Sequence, residues 1–349
     1  MLDSQDRLIL AHLQDGFPLD PRPYAAIARR LHIPVSCIKA RAALFLKKGI
    51  IRYIGAVIDT KKAGFMSSLA ALAIPRSRVN AAGNIINEYP QVTHNYLRDD
   101  EYNMWFTVSC RTVGSRAELV RRICKETGAS KCLDLPTVKV FKIDARFPLM
   151  DRAPGTFSMR RSRTRLFHRA AIPLCRKYLP TLAMPLDVTD RPFLPIARAL
   201  ECTEQDVTGL IARALEKKLI RRFGAVLDHY KIGLKTNALV AWQVDQVDVA
   251  RAASVMARVP HVSHCYLRTV QPGWPYSLYT MIHAVDRPAC RKILNLILRQ
   301  LGPIIKGMKI LFTVKELKKT RFETQQLGSQ RCGREKKIQA GFRKAAGHL

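Results

Sequence analysis

The chain is short of acid. Among its 349 residues, 27 aspartates and glutamates face 59 lysines and arginines, for a formal net charge of +32. Such a balance excludes a cationic ligand as the main partner. It points to a polyanion: nucleic acid, an anionic membrane surface, or a substrate with several carboxylates or phosphates. No apolar run approaches the roughly 18 residues that a membrane-spanning helix needs, so no membrane span is expected. Residues 1–7 are polar and hold no apolar signal region, so export is not expected and the cytoplasm is the expected compartment. Nine cysteines are present, an odd number, and none is spaced as Cys-x-x-Cys. That excludes a zinc ribbon and argues against a disulfide framework; free thiols in a reducing compartment fit better. What is present in quantity is apolar sequence, 48% of the chain, enough for two or more cored domains.

The basic excess is unevenly spread. Residues 152–169 hold six arginines and no acid, and residues 315–349 hold ten lysines and arginines against three glutamates. These stretches are expected to be a linker and a tail of solvated, partly disordered chain.

One short phrase occurs twice. Residues 92–98 run Val92, Thr93, His94, Asn95, Tyr96, Leu97, Arg98, and residues 262–268 run Val262, Ser263, His264, Cys265, Tyr266, Leu267, Arg268. Each copy follows a proline, Pro90 or Pro260, and its β-branched and aromatic character predicts a strand. The two-residue period of a strand then places Val, His, Tyr and Arg on one face. Thr or Ser, Asn or Cys, and Leu fall on the other.

The repeat extends well beyond this phrase. Arg22 and Pro23 recur as Arg191 and Pro192, Ile51 and Arg52 as Ile220 and Arg221, and Gly55, Ala56 and Val57 as Gly224, Ala225 and Val226. Asp59 and Gly64 recur as Asp228 and Gly233, and Tyr102 answers to Tyr276 after four extra residues in the second copy. Patterning within each copy predicts three helices in helix-turn-helix order, an extended segment, and then β-α-β-β-α-β. In the first copy the helices are expected at 3–14, 24–31 and 35–48, and the last strand at 137–146. The fold class is therefore α+β: two tandem copies of a winged-helix-like helix-turn-helix unit followed by a ferredoxin-like sandwich, paired within the chain as a pseudo-dimer. The expected divisions are 1–60 and 61–150 for the first copy, 151–170 for the linker, 171–229 and 230–320 for the second copy, and 321–349 for the tail. A ferredoxin-like sheet covers one face with its own helices, so the His-Tyr-Arg faces are expected to be the free ones, burying each other or enclosing a ligand.

A helix-turn-helix unit followed by such a sandwich resembles the Lrp/AsnC regulators, and Cys37, Ile38, Lys39, Ala40 and Arg41, running through Leu44 to Gly49, Ile50 and Ile51, carry that resemblance. It implies DNA binding through a recognition helix. Against that reading, the second copy's helix opens with Glu201, Glu204 and Asp206, the wrong sign for phosphate, and the two heads are unequal. Specific DNA is accordingly not the expected partner. A regulator, or a haem-responsive version of one, is the alternative.

The repeated strand is similar to a more specific family. His94 to Arg98 followed by Glu101, Tyr102, Asn103, Met104, Trp105, Phe106 and Thr107 looks like one subunit type of siroheme decarboxylase. His264 to Arg268 followed by Trp274, Pro275, Tyr276, Ser277, Leu278, Tyr279, Thr280, Met281, Ile282 and His283 looks like the other, as does the run from Arg221 to Leu227. The match covers roughly residues 3–147 and 175–320. The resemblance implies removal of CO2 from two acetate side chains of sirohaem, giving 12,18-didecarboxysirohaem for haem or for the haem of nitrite reductase. It implies no cofactor apart from the substrate, whose iron is bound as part of it.

The residues suit that chemistry. His264 or His94 could hold the substrate iron through an imidazole nitrogen. Losing CO2 from a pyrrole acetate needs an electron sink, which protonation of the neighbouring ring carbon supplies, so a positioned acid is required among His94, His264, Tyr96, Tyr266 and water held by Arg98 or Arg268. Those two arginines with Arg52, Arg221 and Arg222 can pair with carboxylates that remain. Trp274, Tyr276, Tyr102 and Trp105 are the expected aromatic wall. Plainer roles stand beside these: the tyrosines could bridge two sheets, Arg52 and Arg221 could tie the helical unit to the sandwich, and His229 and His283 are expected to be structural or exposed. The acids Asp99, Asp100 and Glu101 after Arg98 have no counterpart after Arg268, so the second copy is expected to supply the principal site and the iron ligand.

Overall fold

In a computed structural model, residues 2–144, 146, 147, 149 and 178–321 are described. The arginine-rich linker and the tail beyond Arg321 lie outside the described residues.

The first copy begins with α1 (Ser4–Gln14), α2 (Pro23–Leu31) and α3 (Val35–Lys47). Asp3 caps α1 reciprocally with Asp6, each side chain taking the other's backbone N–H, a device that stabilises a helix start by ~1 kcal/mol. Then come β1 (Ile51–Ile58), β2 (Met66–Ala73), α4 (Val79–Glu88), β3 (Val92–Arg98), β4 (Met104–Cys110), α5 (Val113–Thr127) and β5 (Lys131–Ile143). The second copy repeats the order with α6 (Leu179–Leu182), α7 (Leu194–Ala199), α8 (Glu204–Glu216), β6 (Ile220–Leu227), β7 (Thr236–Val244), α9 (Val249–Arg258), β8 (Val262–Arg268), β9 (Leu278–Ala284), α10 (Arg287–Leu301) and β10 (Ile305–Lys319). The expected fold class holds throughout.

Two junctions make one body of the copies. β1 and β6 pair antiparallel with Gly55 opposite Gly224, so repeat-equivalent residues face each other across an approximate two-fold axis. Gly224 has no room for a side chain: its φ is +149°, and a Cβ there would lie 2.7 Å from the carbonyl oxygen of Leu13. Both helical units pack on this ribbon in one continuous core that includes Ile9, Leu13, Phe45, Phe193, Leu210 and Ile211.

The sheets join more intimately than two stacked faces. The eight remaining strands close into a barrel in the order β10-β3-β4-β2-β5-β8-β9-β7. The cause is strand length. Residues 131–136 of β5 pair with β2 of their own sheet, while Thr137 to Ile143 cross over and pair with β8. β10 does the same, pairing first with β7 and then, from Thr313 to Lys319, with β3. The last strand of the first copy thus starts at Lys131 rather than at 137, because its early residues complete the home sheet. Closure leaves neither sheet a free edge. Residues 315–319, counted above with the basic tail, belong to this strand.

Helices α4 and α5 cover the outside of one half of the barrel, and α9 and α10 the other, over separate cores that include Phe106 and Ile123, and Trp242 and Ile297. Inside, a small apolar cluster built on Ala71, Trp105, Leu133, Leu239, Trp274 and Leu311 fills part of the barrel.

Candidate active site

The repeated phrase forms β3 and β8, but its four face residues do not stay in line. A β-bulge falls between Val92 and His94 and another between Val262 and His264. Val92 and Val262 therefore join the helix-side cores, while His, Tyr and Arg turn inward. A strict period of two does not anticipate that turn.

Inward lies one cavity of about 2290 Å³, bounded by the barrel interior, the β1–β6 ribbon and the helical units. His94, Tyr96 and Arg98 line it together with His264, Tyr266 and Arg268. The two phrases therefore share one hollow, larger than the several hundred Å³ of an ordinary small-molecule pocket.

Both strand histidines are held alike. His94 Nδ1 lies 2.9 Å from Thr93 Oγ1, and His264 Nδ1 lies 3.3 Å from the hydroxyl of Tyr266, whose ring stacks on it at 5.8 Å and 12°. Nε2 of each has no hydrogen-bond partner among the described residues, which makes it the nitrogen available to a ligand. Burial, then the positive charge of Lys319, drives the His94 pKa down to about 3; the same two causes, in the same order, drive that of His264 to about 4. Both rings are neutral at pH 7, the form that binds a metal. Burial pushes the phenols of Tyr96 and Tyr266 upward, so they remain protonated donors.

The arginines divide into two kinds. Arg98 and Arg268 are buried clasps. Arg98 Nη1 donates to the Leu311 carbonyl at 2.8 Å and to Thr313 Oγ1 at 3.1 Å; Arg268 Nη1 donates to the Leu135 carbonyl at 2.9 Å and to Thr137 Oγ1 at 3.0 Å. Each guanidinium also lies over its own strand's tyrosine ring, at 5.2 and 4.8 Å. Arg52 and Arg221 line the cavity but carry carboxylate partners: Arg52 pairs with Asp228 at 2.7 Å and Glu316 at 2.6 Å, and Arg221 with Asp59 at 3.1 Å. For Arg52, whose partner Glu316 is on β10, the tying role and a place on the cavity wall coincide; Arg221 ties only to Asp59 at the end of β1. Arg222 Nη1 donates to the Ala225 carbonyl and lines the cavity as well.

The aromatic wall is only partly where it was expected. Trp105 lines the cavity, but Trp274, Tyr276 and Tyr102 surround a separate pocket of about 340 Å³ with Lys131 and Lys309. Trp274 is 2% exposed, packs edge-on against Tyr102 and Tyr276, and donates from Nε1 to the Tyr279 hydroxyl at 2.7 Å. With its ring in the apolar cluster inside the barrel it acts as a plug, and Gly273, at φ +71°, makes the turn that brings Trp274 back to bridge with Gln271. The acids after Arg98 are turned away: Asp100 pairs with Lys309, Glu101 with Lys131 and Asp99 with Arg287. They do not distinguish the two copies as sites.

Several lining residues were not anticipated. His283 lines the cavity 4.6 Å, centroid to centroid, from His229, and both are buried rather than exposed. Burial holds the His229 pKa down to about 3 and that of His283 well below the usual imidazole value. Lys319, Tyr279, Met281 and Thr107 complete this wall. An isolated histidine carries no sequence signal of its own. The common signal of Tyr279, Met281 and His283 is alternation along β9, legible once the barrel's inside is known.

Helix-turn-helix units, ferredoxin-like sheets and a ligand-sized hollow between the halves define an Lrp/AsnC-type architecture. Comparison with known proteins agrees: the AsnC-like ligand binding domain matches residues 62–142 and 231–318, and the siroheme decarboxylase NirDL-like HTH domain matches residues 6–52. The siroheme decarboxylase NirDL subunit of Paracoccus denitrificans is 33% identical over 302 residues, 84% of this chain and 89% of that one. The siroheme decarboxylase alpha subunit of Nitratidesulfovibrio vulgaris is 40% identical over 147 residues, 42% of this chain and 83% of its own length. A crystal structure of the siroheme decarboxylase NirDL in co-complex with an iron-uroporphyrin III analogue shares the fold with a TM-score of 0.63 at 22% identity, covering 94% of this chain and 99% of that one. The chain belongs to the siroheme decarboxylase family, a family of carboxy-lyases, with its two subunit types fused.

Proposed function

We propose that the chain converts sirohaem to 12,18-didecarboxysirohaem, losing one CO2 from each of two acetates, and that the two halves form a single site for it. The observation that carries this reading is the convergence of both His-Tyr-Arg strands on one cavity of about 2290 Å³. The lining supports it in kind: guanidinium and ammonium groups suit a polycarboxylate, and the neutral imidazoles His94 and His264 suit its iron.

Each decarboxylation takes up one proton and releases one CO2, with no net oxidation. A proton placed on the ring carbon beside the acetate creates the electron sink. The C–C bond to the carboxylate then breaks, its electron pair flows into the ring, and proton redistribution leaves a methyl group. Tyr96 and Tyr266, kept protonated by burial, are the donors within reach of the cavity, beside the neutral imidazoles of His94 and His264. Arg52, Arg221 and Arg222 steady carboxylates that stay, and Trp105 and Tyr279 contribute flat apolar surface. His264 is the iron ligand of this scheme, with the first copy closing the pocket. The product feeds haem synthesis or that of the nitrite-reductase haem.

Anaerobic incubation with sirohaem followed by mass analysis tests the proposal. Stepwise loss of two CO2 units is the expected result. Unchanged sirohaem bound at the cavity would reduce the protein to a tetrapyrrole carrier.

A further inference from the structure

The cavity is built on an approximate two-fold axis, yet its two ends differ in chemistry. On one side β10 places Glu316 opposite Tyr96 and Lys319 opposite His94. At the equivalent positions β5 places Val140 opposite Tyr266 and Ile143 opposite His264. Lys319 and Ile143 both line the cavity. Neighbouring positions follow suit: Asn237 pairs with His283 at the charged end, where the other end has Ser67 with Ser109.

Lys319 is also short of partners. Its ammonium can donate three hydrogen bonds. Among the described residues, the contacts its ammonium makes are His229 Nδ1 at 3.4 Å and Glu316 Oε2 at 3.9 Å, while Glu316 lies nearer Arg52, at 2.6 Å. The side chain is only 18% exposed. A half-coordinated ammonium deep in a hollow is poised for an incoming carboxylate.

A macrocycle entering a two-fold cavity can lie in either of two orientations, exchanging which rim meets which end. When its carboxylates are unequally distributed around the rim, only a feature that breaks the symmetry can choose between them. We propose that Lys319 sets the orientation of the tetrapyrrole, taking a peripheral carboxylate at the His94 end that Ile143 leaves unbound at the His264 end. The inference rests on the sirohaem reading above. It adds that orientation fixes which acetate is placed for the first loss, so Lys319 is a positioning residue.

The test uses the full chain, anaerobic sirohaem as probe, and four variants: Lys319→Ile, Lys319→Arg, Ile143→Lys, and the exchange pair Lys319→Ile with Ile143→Lys. Two quantities are read, the affinity from absorbance titration and the ratio of the two isomers that have lost a single CO2. Wild type should give mainly one isomer. Lys319→Ile should bind about tenfold more weakly, the worth of one charge-assisted bond, and give both isomers. Lys319→Arg should keep the wild-type ratio, and the exchange pair should reverse it with affinity regained. An even ratio from wild type, or an unaltered ratio and affinity in a Lys319→Ile protein that melts normally, overturns the inference while leaving the decarboxylase reading intact. Absence of any CO2 loss from wild type overturns that reading itself, and this inference with it. Where Lys319→Ile does not fold, Ile143→Lys decides alone, since an ammonium opposite His264 that matches Lys319 opposite His94 must even out the ratio.

Discussion

Arg268 of β8 donates 2.9 Å to the carbonyl oxygen of Leu135 on the last strand of the other copy, and Arg98 makes the mirror-image bond to Leu311. These bonds lie where β5 and β10 leave their own sheets, so each repeat's arginine fastens the strand it receives from the other. Removing it leaves a buried carbonyl and the Thr137 hydroxyl without their donor. Arg268→Ala should therefore destabilise the fold by about 2–4 kcal/mol, and Arg98→Ala by a similar amount. Urea unfolding gives the number. A change under ~0.5 kcal/mol would mean that the clasp contributes nothing to barrel closure.

The buried histidines tie stability to pH. Burial holds His94 and His229 down to about 3 and His264 to about 4, whereas an unfolded imidazole titrates near 6.5. Between those values the unfolded chain carries protons that the folded chain lacks. Stability is therefore fully present above pH ~6.5 and is lost as pH falls toward 4, by up to about 1.4 kcal/mol per pH unit for each such group. Urea midpoints at pH 7.5, 6 and 5 should fall in that order, with His229→Asn flattening the slope. Midpoints that do not move would place these rings in contact with bulk water.

Much of this was readable in the chain itself. The duplicated His-x-Tyr-x-Arg phrase located both strands, and Asp59 with Asp228 and Gly55 with Gly224 marked the repeat that the two-fold axis embodies. Features that depend on tertiary closure were not readable. The bulges beside His94 and His264 redirect Val92 and Val262 without any local signal, because the extra residue is absorbed by pairing with β4 and β9. Lys319 and Glu316 stood in a basic run that composition alone assigns to solvent, and only the crossing of β10 onto β3 carries Lys319 inside. Trp274 fell into the same class. A tryptophan in a Pro- and Gly-rich loop suits a pocket wall or a plug equally until the barrel end is in view.

That plug can be separated from the substrate wall. Trp274→Phe keeps most of the packing against Tyr102 and Tyr276 but loses the bond to the Tyr279 hydroxyl. It should cost about 1–2 kcal/mol of stability and leave the affinity for sirohaem within about twofold, because Trp274 does not line the cavity. Trp105→Phe, on the cavity side, should weaken binding more than it weakens the fold. A tenfold loss of affinity in Trp274→Phe alone would return Trp274 to the wall.

The helix-turn-helix units predict a negative result. Lys39 of α3 is paired with Asp190 at 2.7 Å, and Arg41 with Asp6 at 2.5 Å and Asp3 at 3.5 Å. Two of this helix's three cations are thus engaged within the chain, and the third, Lys47, sits in its last turn, away from the end that would enter a groove. Binding to duplex DNA should be sequence-independent and should vanish between 50 and 200 mM salt, as roughly six or more non-specific phosphate contacts would. A sequence-dependent nanomolar shift that survives the higher salt would restore the regulator.

The two strand histidines can be ranked by spectroscopy. Each leaves Nε2 for a ligand, but their surroundings differ: His264 is flanked by Ile143 and braced by the stacked Tyr266, whereas His94 sits beside Lys319. The Lys319 ammonium bears on both imidazoles, but it stands directly opposite His94 in the strand pairing, so it opposes a positive iron more there than at His264, whose ring is also held by the stacked Tyr266. His264→Ala should therefore abolish the low-spin absorption band formed on adding sirohaem, and His94→Ala should retain the band while losing decarboxylation. Imidazole in the buffer should restore the band to His264→Ala, because the space left by the ring opens onto the cavity. If instead His94→Ala loses the band and His264→Ala keeps it, the iron lies at the charged end, and the roles of the two copies are exchanged.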